Sequence, residues 1–195
     1  MELRAGYKNT EIGVIPENWD VKELGKIGSF KNGINKGKED FGHGFPFVNL
    51  MDVFGKPKIY GNEKFGLINS NDAERNLYNL KNNDLLFIRS SVKPSGVGLT
   101  SVVSKDLKDT VFSGFLIRFR DSGELHTEYN KHCFYEEKFR NRLIANSSVS
   151  ANTNINQEAL KSLKIPIPPL PEQTAIASVL SDTDSLLQAI EKKIA

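Results

Sequence analysis

The stretch Lys164-Ile-Pro-Ile-Pro-Pro-Leu-Pro-Glu-Gln-Thr-Ala-Ile-Ala177 decides how this chain is organised. Each proline fixes its own φ and lacks a backbone donor, so Pro166, Pro168, Pro169 and Pro171 dictate a stiff, extended approach. Proline is tolerated only in the first turn of a helix, and a helix is therefore expected to begin near Glu172. Beyond it, apolar or small residues recur at Ile176, Leu180, Thr183, Leu187, Ile190 and Ile194. This alternation of four-residue and three-residue steps is a heptad seam, narrower than the stripe of a helix lying flat on a core. A stiff joint feeding a coiled-coil-type helix describes a spacer or docking arm. The heptad is still running at Ile194-Ala195, which leaves open whether the helix is complete.

Upstream of the joint the pattern is strand-like. Strands are expected at Phe45–Val48, Leu85–Ile88, Thr100–Val103 and Val111–Arg120. In the last, Val111, Ser113, Phe115, Ile117 and Phe119 would share one face, with Arg118 and Arg120 on the other. Turn chemistry separates these runs at Asn32-Gly33, Gly42–Pro46, Gly55–Pro57, Asn69–Asp72 and Pro94–Gly98. The period then changes, and a helix is expected over Glu128–Ala145, with Lys138, Arg140 and Arg142 exposed. A polar loop, Asn146–Asn154, and a short helical turn at Gln157–Leu163 lead to the prolines. Trp19, beside the turn signal Pro16-Glu-Asn18, is expected to anchor the N-terminal segment through its large apolar surface. The expected class is α/β (α+β): a compact, curved, mostly antiparallel sheet with packed helices, followed by a long C-terminal coiled-coil-type helix. Residues 1–165 form the domain, and residues 166–195 form the joint and helix.

Composition narrows the chemistry. With 38% apolar and 26% charged residues, the 195-residue chain reads as an ordinary globular protein able to bury a sizeable core. Cys133, the only cysteine, excludes a disulfide framework and a multi-cysteine zinc site, and reads as a small buried apolar residue. No apolar run approaches the roughly 20 residues of a membrane span, and no signal-peptide core is present, so a cytoplasmic location with no membrane contact is expected.

Catalytic signatures are sparse. Ser95-Gly-Val-Gly98 is an isolated G-x-G better explained by a turn. Glu136-Glu-Lys138 has the E-x-K form of a nuclease carboxylate cluster but lacks its upstream acidic partner. His126, His132 and Cys133 do not have the spacing of a zinc site. No catalytic residue, metal or cofactor is assigned.

Basic and amide side chains collect instead in three segments. The first runs from Lys31, Asn32, Asn35, Lys36 and Lys38 to His43 and Asn49; the second holds Arg89, Ser90, Ser91 and Lys93; the third holds Ser147, Ser148, Asn152 and Thr153. Residues 26–58 contain six lysines against Glu39, Asp40 and Asp52, a local excess of positive charge larger than the +2 of the whole chain. Lysine and arginine neutralise phosphates, asparagine pairs with adenine and arginine with guanine, and serine and threonine bond phosphate oxygens. These residue types suit contacts to double-stranded DNA, and the alternative reading is that surface loops are simply polar; which would read bases and which hold phosphates stays open.

Three motifs then carry a family resemblance. Gly13-Val-Ile-Pro-Glu-Asn-Trp-Asp-Val-Lys-Glu-Leu24 resembles the opening of a target recognition domain in type I restriction-modification specificity (S) subunits. Asn83-Asp-Leu-Leu-Phe-Ile-Arg89 resembles its mid-domain strand, and Ser150–Leu163 with the proline joint resembles its exit into a conserved helix. The resemblance implies a non-catalytic reading module whose methyltransferase (modification) and restriction/translocase partners supply the chemistry. Such subunits carry two recognition domains and two helices that set the distance between DNA half-sites, whereas this sequence holds one of each. It implies half a subunit, or a fragment, that forms a homodimer through the C-terminal helix and reads an inverted repeat. Two alternatives stay open: a recognition domain of a fused restriction-methylation enzyme, and an oligomerising scaffold that does not bind DNA.

Overall fold

A computed structural model describes residues 5–194. The first four residues of the expected recognition domain and Ala195 of the expected spacer lie outside the described residues. No helix among those described is long and apolar enough to cross a membrane.

The centre is a five-stranded sheet in the order Gly28–Asn32, Leu116–Asp121, Leu85–Ile88, Thr100–Val103, Lys58–Ile59. Thr100–Val103 pairs in parallel with Lys58–Ile59, and the other neighbours in this sheet are antiparallel. Leu85–Ile88 is buried along its whole length because both faces of the sheet are covered. Leu85, Phe87, Ile117 and Phe119 enter one core with residues of the helices, among them Phe134, Phe139, Leu143 and Leu160. Their immediate neighbours Leu86, Ile88 and Leu116 enter a second core with Val48, Val53 and Phe112. Successive residues of a strand point to opposite faces, so a continuous apolar run is what a doubly covered strand requires. A smaller sheet, Val111–Phe112 beside Phe41–Val48 beside Gly66–Ile68, flanks the second core.

Four expectations are corrected. The segment Val111–Arg120 is two strands in two sheets, Val111–Phe112 and Leu116–Asp121, divided by a turn that the Leu116 N–H closes onto the Ser113 carbonyl at 2.8 Å. Phe115 sits at that turn and is exposed, and Arg118, on the face opposite Ile117 and Phe119, is buried. Alternation signals a half-buried strand, but here burial continues on both faces. Secondly, the helix expected over Glu128–Ala145 is two, Thr127–Cys133 and Glu137–Ala145. The Glu136 carboxylate accepts from the Phe139 N–H at 2.7 Å and restarts the helix, which lets Phe134 turn into the core between Phe87 and Phe139. That cap accounts for the acidic residue of the nuclease-like E-x-K triplet.

Thirdly, Arg140 and Arg142 are not free surface charges. Arg140 Nη2 donates to the Ser95 and Val97 carbonyls at 3.0 and 2.7 Å, and Arg142 Nη2 donates to Lys164 O at 3.2 Å. Burial lowers the pKa of both guanidiniums. Fourthly, the polar segment 146–154 is ordered as a hairpin, Ser148–Val149 against Thr153–Asn154. The turn signal at Asn32-Gly33 also has another cause: a Cβ on Gly33 would collide with the Phe112 and Ser113 carbonyls, where the strand end crosses the small sheet.

The C-terminal helix spans Leu170–Ile194, about 38 Å at 1.5 Å per residue. The first half of the joint is part of the body: Lys164–Ile167 pairs antiparallel with Asp20–Glu23, across the expected 165/166 boundary. Glu172 then clamps the N-terminal turn, accepting from Trp19 Nε1 at 2.7 Å and Asn18 Nδ2 at 2.5 Å. Gln173 is fully buried and joins two backbone groups of the body, at Glu124 and His126, and the Pro168 carbonyl of the joint. Ile176 and Ala177 complete the first core, and Asp184 pairs with Lys131 at 2.7 Å. Beyond this point the helix carries Leu186, Leu187, Ile190 and Ile194 exposed.

Candidate nucleic-acid interface

The two-residue strand Ser90–Ser91 pairs antiparallel with Thr153–Asn154, with Ser91 opposite Thr153 and Ser90 opposite Asn154. This ladder joins the second and third polar segments into one edge, although about sixty residues of sequence lie between them. The Ile155 N–H donates to the Arg89 carbonyl at 2.9 Å and extends the junction by one residue. Arg89 in turn donates its backbone N–H to Phe115 O at 2.8 Å and its Nη1 to Gly114 O at 3.4 Å. The guanidinium is therefore held half-buried beside the Gly114-Phe115 turn. Asn35 reaches the same turn, its side-chain oxygen occupying the space that a Cβ on Gly114 would fill.

These elements enclose an open cleft of about 510 Å³. Ser90, Ser91, Lys93 and Asn152 line it, together with Met51, Phe54, Val92 and Phe115. Its far wall is the short helix Leu50–Val53. Asn49 builds that helix: its side-chain oxygen accepts from Leu50 N at 2.8 Å, and its own N–H donates to Asp52 Oδ2 at 2.8 Å, a reciprocal cap. Asn49 thereby positions Met51 at the mouth of the cleft.

The remaining expected residues are placed as follows. Ser147 Oγ bonds Leu143 O at 2.9 Å and finishes the helix Glu137–Ala145, Ser148 is exposed in the hairpin, and Thr153 on the hairpin's second strand is buried. Lys31 and Asn32 belong to the central sheet rather than to a loop, and Lys31 Nζ lies 5.5 Å from the centre of the Tyr78 ring. Lys36 forms an ion pair with Glu74 at 2.7 Å, which raises the lysine pKa and lowers that of the carboxylate. Lys38 and His43 are exposed on and beside the long hairpin strand Phe41–Val48. None of these four basic side chains lines the cleft.

Sequence reasoning passed over Met51, Phe54, Val92 and Phe115. An apolar residue destined for an open cleft has no mark in a single sequence that separates it from a core residue. Alternation places Phe115 on the strand face of Ile117 and Phe119, which the turn at Ser113–Leu116 prevents. Cys133 is half-buried against the first core, and burial raises its thiol pKa above the ordinary value.

Comparison with known proteins covers nearly all of the chain. Residues 16–195 match the family model described as the type I restriction modification DNA specificity domain. The chain is 31% identical over 193 residues to a Methanocaldococcus jannaschii protein assigned as the type I restriction enzyme MjaX specificity subunit, covering 96% of this chain and 44% of that protein. It is 30% identical over 181 residues to the type I restriction enzyme StySPI specificity subunit of Salmonella potsdam, covering 90% and 38%. The HsdS subunit structure from Thermoanaerobacter tengcongensis shares the fold, with a TM-score of 0.66 at 20% identity over 97% of this chain and 43% of that one. The chain thus spans less than half the length of the relatives it matches.

Proposed function

This chain belongs to the family of type I restriction-modification DNA specificity domains, and on that premise we propose that it is the DNA-reading part of a specificity subunit. In this reading it carries no catalysis of its own. It directs modification (methyltransferase) subunits and a restriction/translocase subunit to their target, in the cytoplasm. Residues 1–165 read one half-site and residues 166–195 hold the reader at a fixed distance from a second reader. The observation that most supports the reading is one cleft lined by Lys93, Ser90, Ser91 and Asn152, with Arg89 and Asn35 held at the Gly114-Phe115 turn that borders it, on a body to which a 25-residue helix is clamped. These are residue types that bond phosphates and base edges, and they lie on short connections held by a rigid sheet.

The second reader is a second copy of the chain, docked along the helix. Leu187 and Ile190 are half exposed although they belong to the heptad seam, and Val179 and Leu186 widen the same apolar strip. Ile176 is already packed inward, so the seam between copies begins near Leu180. Leu187→Asp is expected to convert dimers into folded monomers, read by light scattering with circular dichroism as the control. Dimers that persist would move the seam elsewhere.

Co-expression with the cognate modification subunits, followed by methylome sequencing, tests the function itself. The expected outcome is a bipartite palindromic motif; an asymmetric motif would overturn the homodimer, and no new methylation would overturn the reading. The charged residues separate by their pairing. Lys36 is already compensated by Glu74, so Lys36→Ala is expected to weaken DNA binding less than Arg89→Ala. Loss that is uniform across sequences marks a phosphate contact, whereas relaxed specificity marks a base contact worth about 1–3 kcal/mol. Binding of Arg89→Ala equal to the parent protein at every sequence would remove Arg89 from the interface.

A further inference from the structure

Ser, Asn and Lys suffice for bonding phosphates and base edges, yet three exposed residues of the cleft are large and apolar. Met51, Val92 and Phe115 leave 67%, 82% and 59% of their surfaces open to solvent. They come from a capped helical turn, from the segment following the Ser90–Ser91 strand and from the Gly114-Phe115 turn, and they meet at one cavity. Single exposed apolar residues need no explanation, but three brought together from separate elements form a surface that water leaves unsatisfied.

The remaining lining residues restrict what can cover that surface. Among the described residues Lys93 is the one charged residue that lines it and no carboxylate does, while Ser90, Ser91 and Asn152 add hydroxyl and amide groups. A cationic partner would find no counter-charge there. A polyanion that also presents a small apolar projection matches both properties. In the major groove of duplex DNA, the thymine C5-methyl group is that projection, standing beside acceptor and donor groups that hydroxyl and amide side chains bond.

We propose that Met51, Val92 and Phe115 receive the 5-methyl group of a thymine in the target half-site, with Lys93 holding the adjacent phosphate. The inference rests on the DNA-reading function proposed above and assigns one chemical feature of the target. Shape and desolvation of the methyl group, rather than hydrogen bonding, then set the discrimination at that base pair.

The experiment uses the full chain in complex with its modification subunits and duplexes carrying the methylome-defined target. Each thymine of a half-site is replaced in turn by deoxyuridine, which removes only the methyl group and keeps the base pair. One such replacement is expected to weaken binding about fourfold, the effect of withdrawing one buried methyl. Met51→Ser and Val92→Ser, both at open positions, are expected to bring that ratio close to one without changing the melting temperature. Sequence-specific binding that ignores every deoxyuridine overturns the inference and leaves the DNA-reading function standing. A ratio that survives both serine variants also overturns it. Serine variants that weaken assembly with the modification subunits, while the ratio persists, identify the cleft as a protein contact instead. If the complex binds no sequence selectively, the underlying function fails and the inference fails with it.

Discussion

Asp84→Ala is expected to lower stability by about 3 kcal/mol, and the melting temperature by about 6–12 °C for a chain of this size. The Asp84 side chain is fully buried at the start of the central strand. Its Oδ1 accepts from Arg120 Nε at 2.7 Å, and its Oδ2 accepts from Arg120 Nη2 at 2.6 Å and from the Lys81 N–H at 2.7 Å. Arg118 lies on the same strand face, is buried, and bonds the Asn79 backbone and side-chain oxygens. Burial lowers the Arg118 pKa, the Arg120 charge lowers it further, and Asp84 acts in the opposite direction. One carboxylate therefore compensates two neighbouring guanidiniums. Removing it strands buried positive charge, which typically costs about 3–5 kcal/mol, and the low end applies because Arg120 keeps 29% of its side chain in water. Asp84→Asn retains an acceptor for the Lys81 N–H and is expected to lose less. Thermal melts of both variants decide the matter: a loss below about 1 kcal/mol for the alanine would mean that water, rather than Asp84, solvates the arginines.

Gln173→Ala is expected to cost a similar amount, about 3 kcal/mol, and to loosen the C-terminal helix from the body. The Gln173 oxygen accepts from the His126 N–H at 2.8 Å, and its Nε2 donates to the Glu124 and Pro168 carbonyls, both at 2.9 Å. The side chain is fully buried, so alanine leaves an amide and two carbonyls without these partners, each stranded group costing roughly 1–3 kcal/mol. Part of that cost is recovered if water enters, which keeps the expected total near the lower bound. Gln173→Glu is expected to be at least as damaging despite its matching shape, because a carboxylate would face the two carbonyls that the amide now bonds. Amide hydrogen exchange reads the second effect: helix residues 174–184 should lose protection in both variants while strand Leu85–Ile88 keeps it. Retained protection across the helix would show that Ile176, Ala177 and the Asp184–Lys131 pair hold it unaided.

These two residues lie in the motifs that carry the family resemblance, Asn83-Asp-Leu-Leu-Phe-Ile-Arg89 and the proline joint. Both do structural work that spacing alone does not reveal. Asn83 adopts a left-handed backbone with φ of 67° and bonds Leu125 O and Asn130, turning the chain so that Asp84 points inward. The prolines were legible as a stiff approach, since φ restriction is local to each residue. That Glu172 and Gln173 lock this approach to Trp19 and His126 was not legible, because their partners lie 153 and 47 residues away.

The mixed α/β class, the mostly antiparallel central strands, the polar segments and the long C-terminal helix were legible in the chain's own residues. Each of these follows from local rules: side-chain period, proline and glycine geometry, and capping. Which polar residues line the candidate cleft depends on how distant segments pack. The Ser90–Ser91 and Thr153–Asn154 ladder brings Lys93 and Asn152 to one cleft, while Glu74 pairs with Lys36. The same packing decides that Arg118 is buried and that Met51, Val92 and Phe115 are open. Burial and charge pairing depend on contacts between distant segments, and a one-dimensional pattern carries no record of which segments meet.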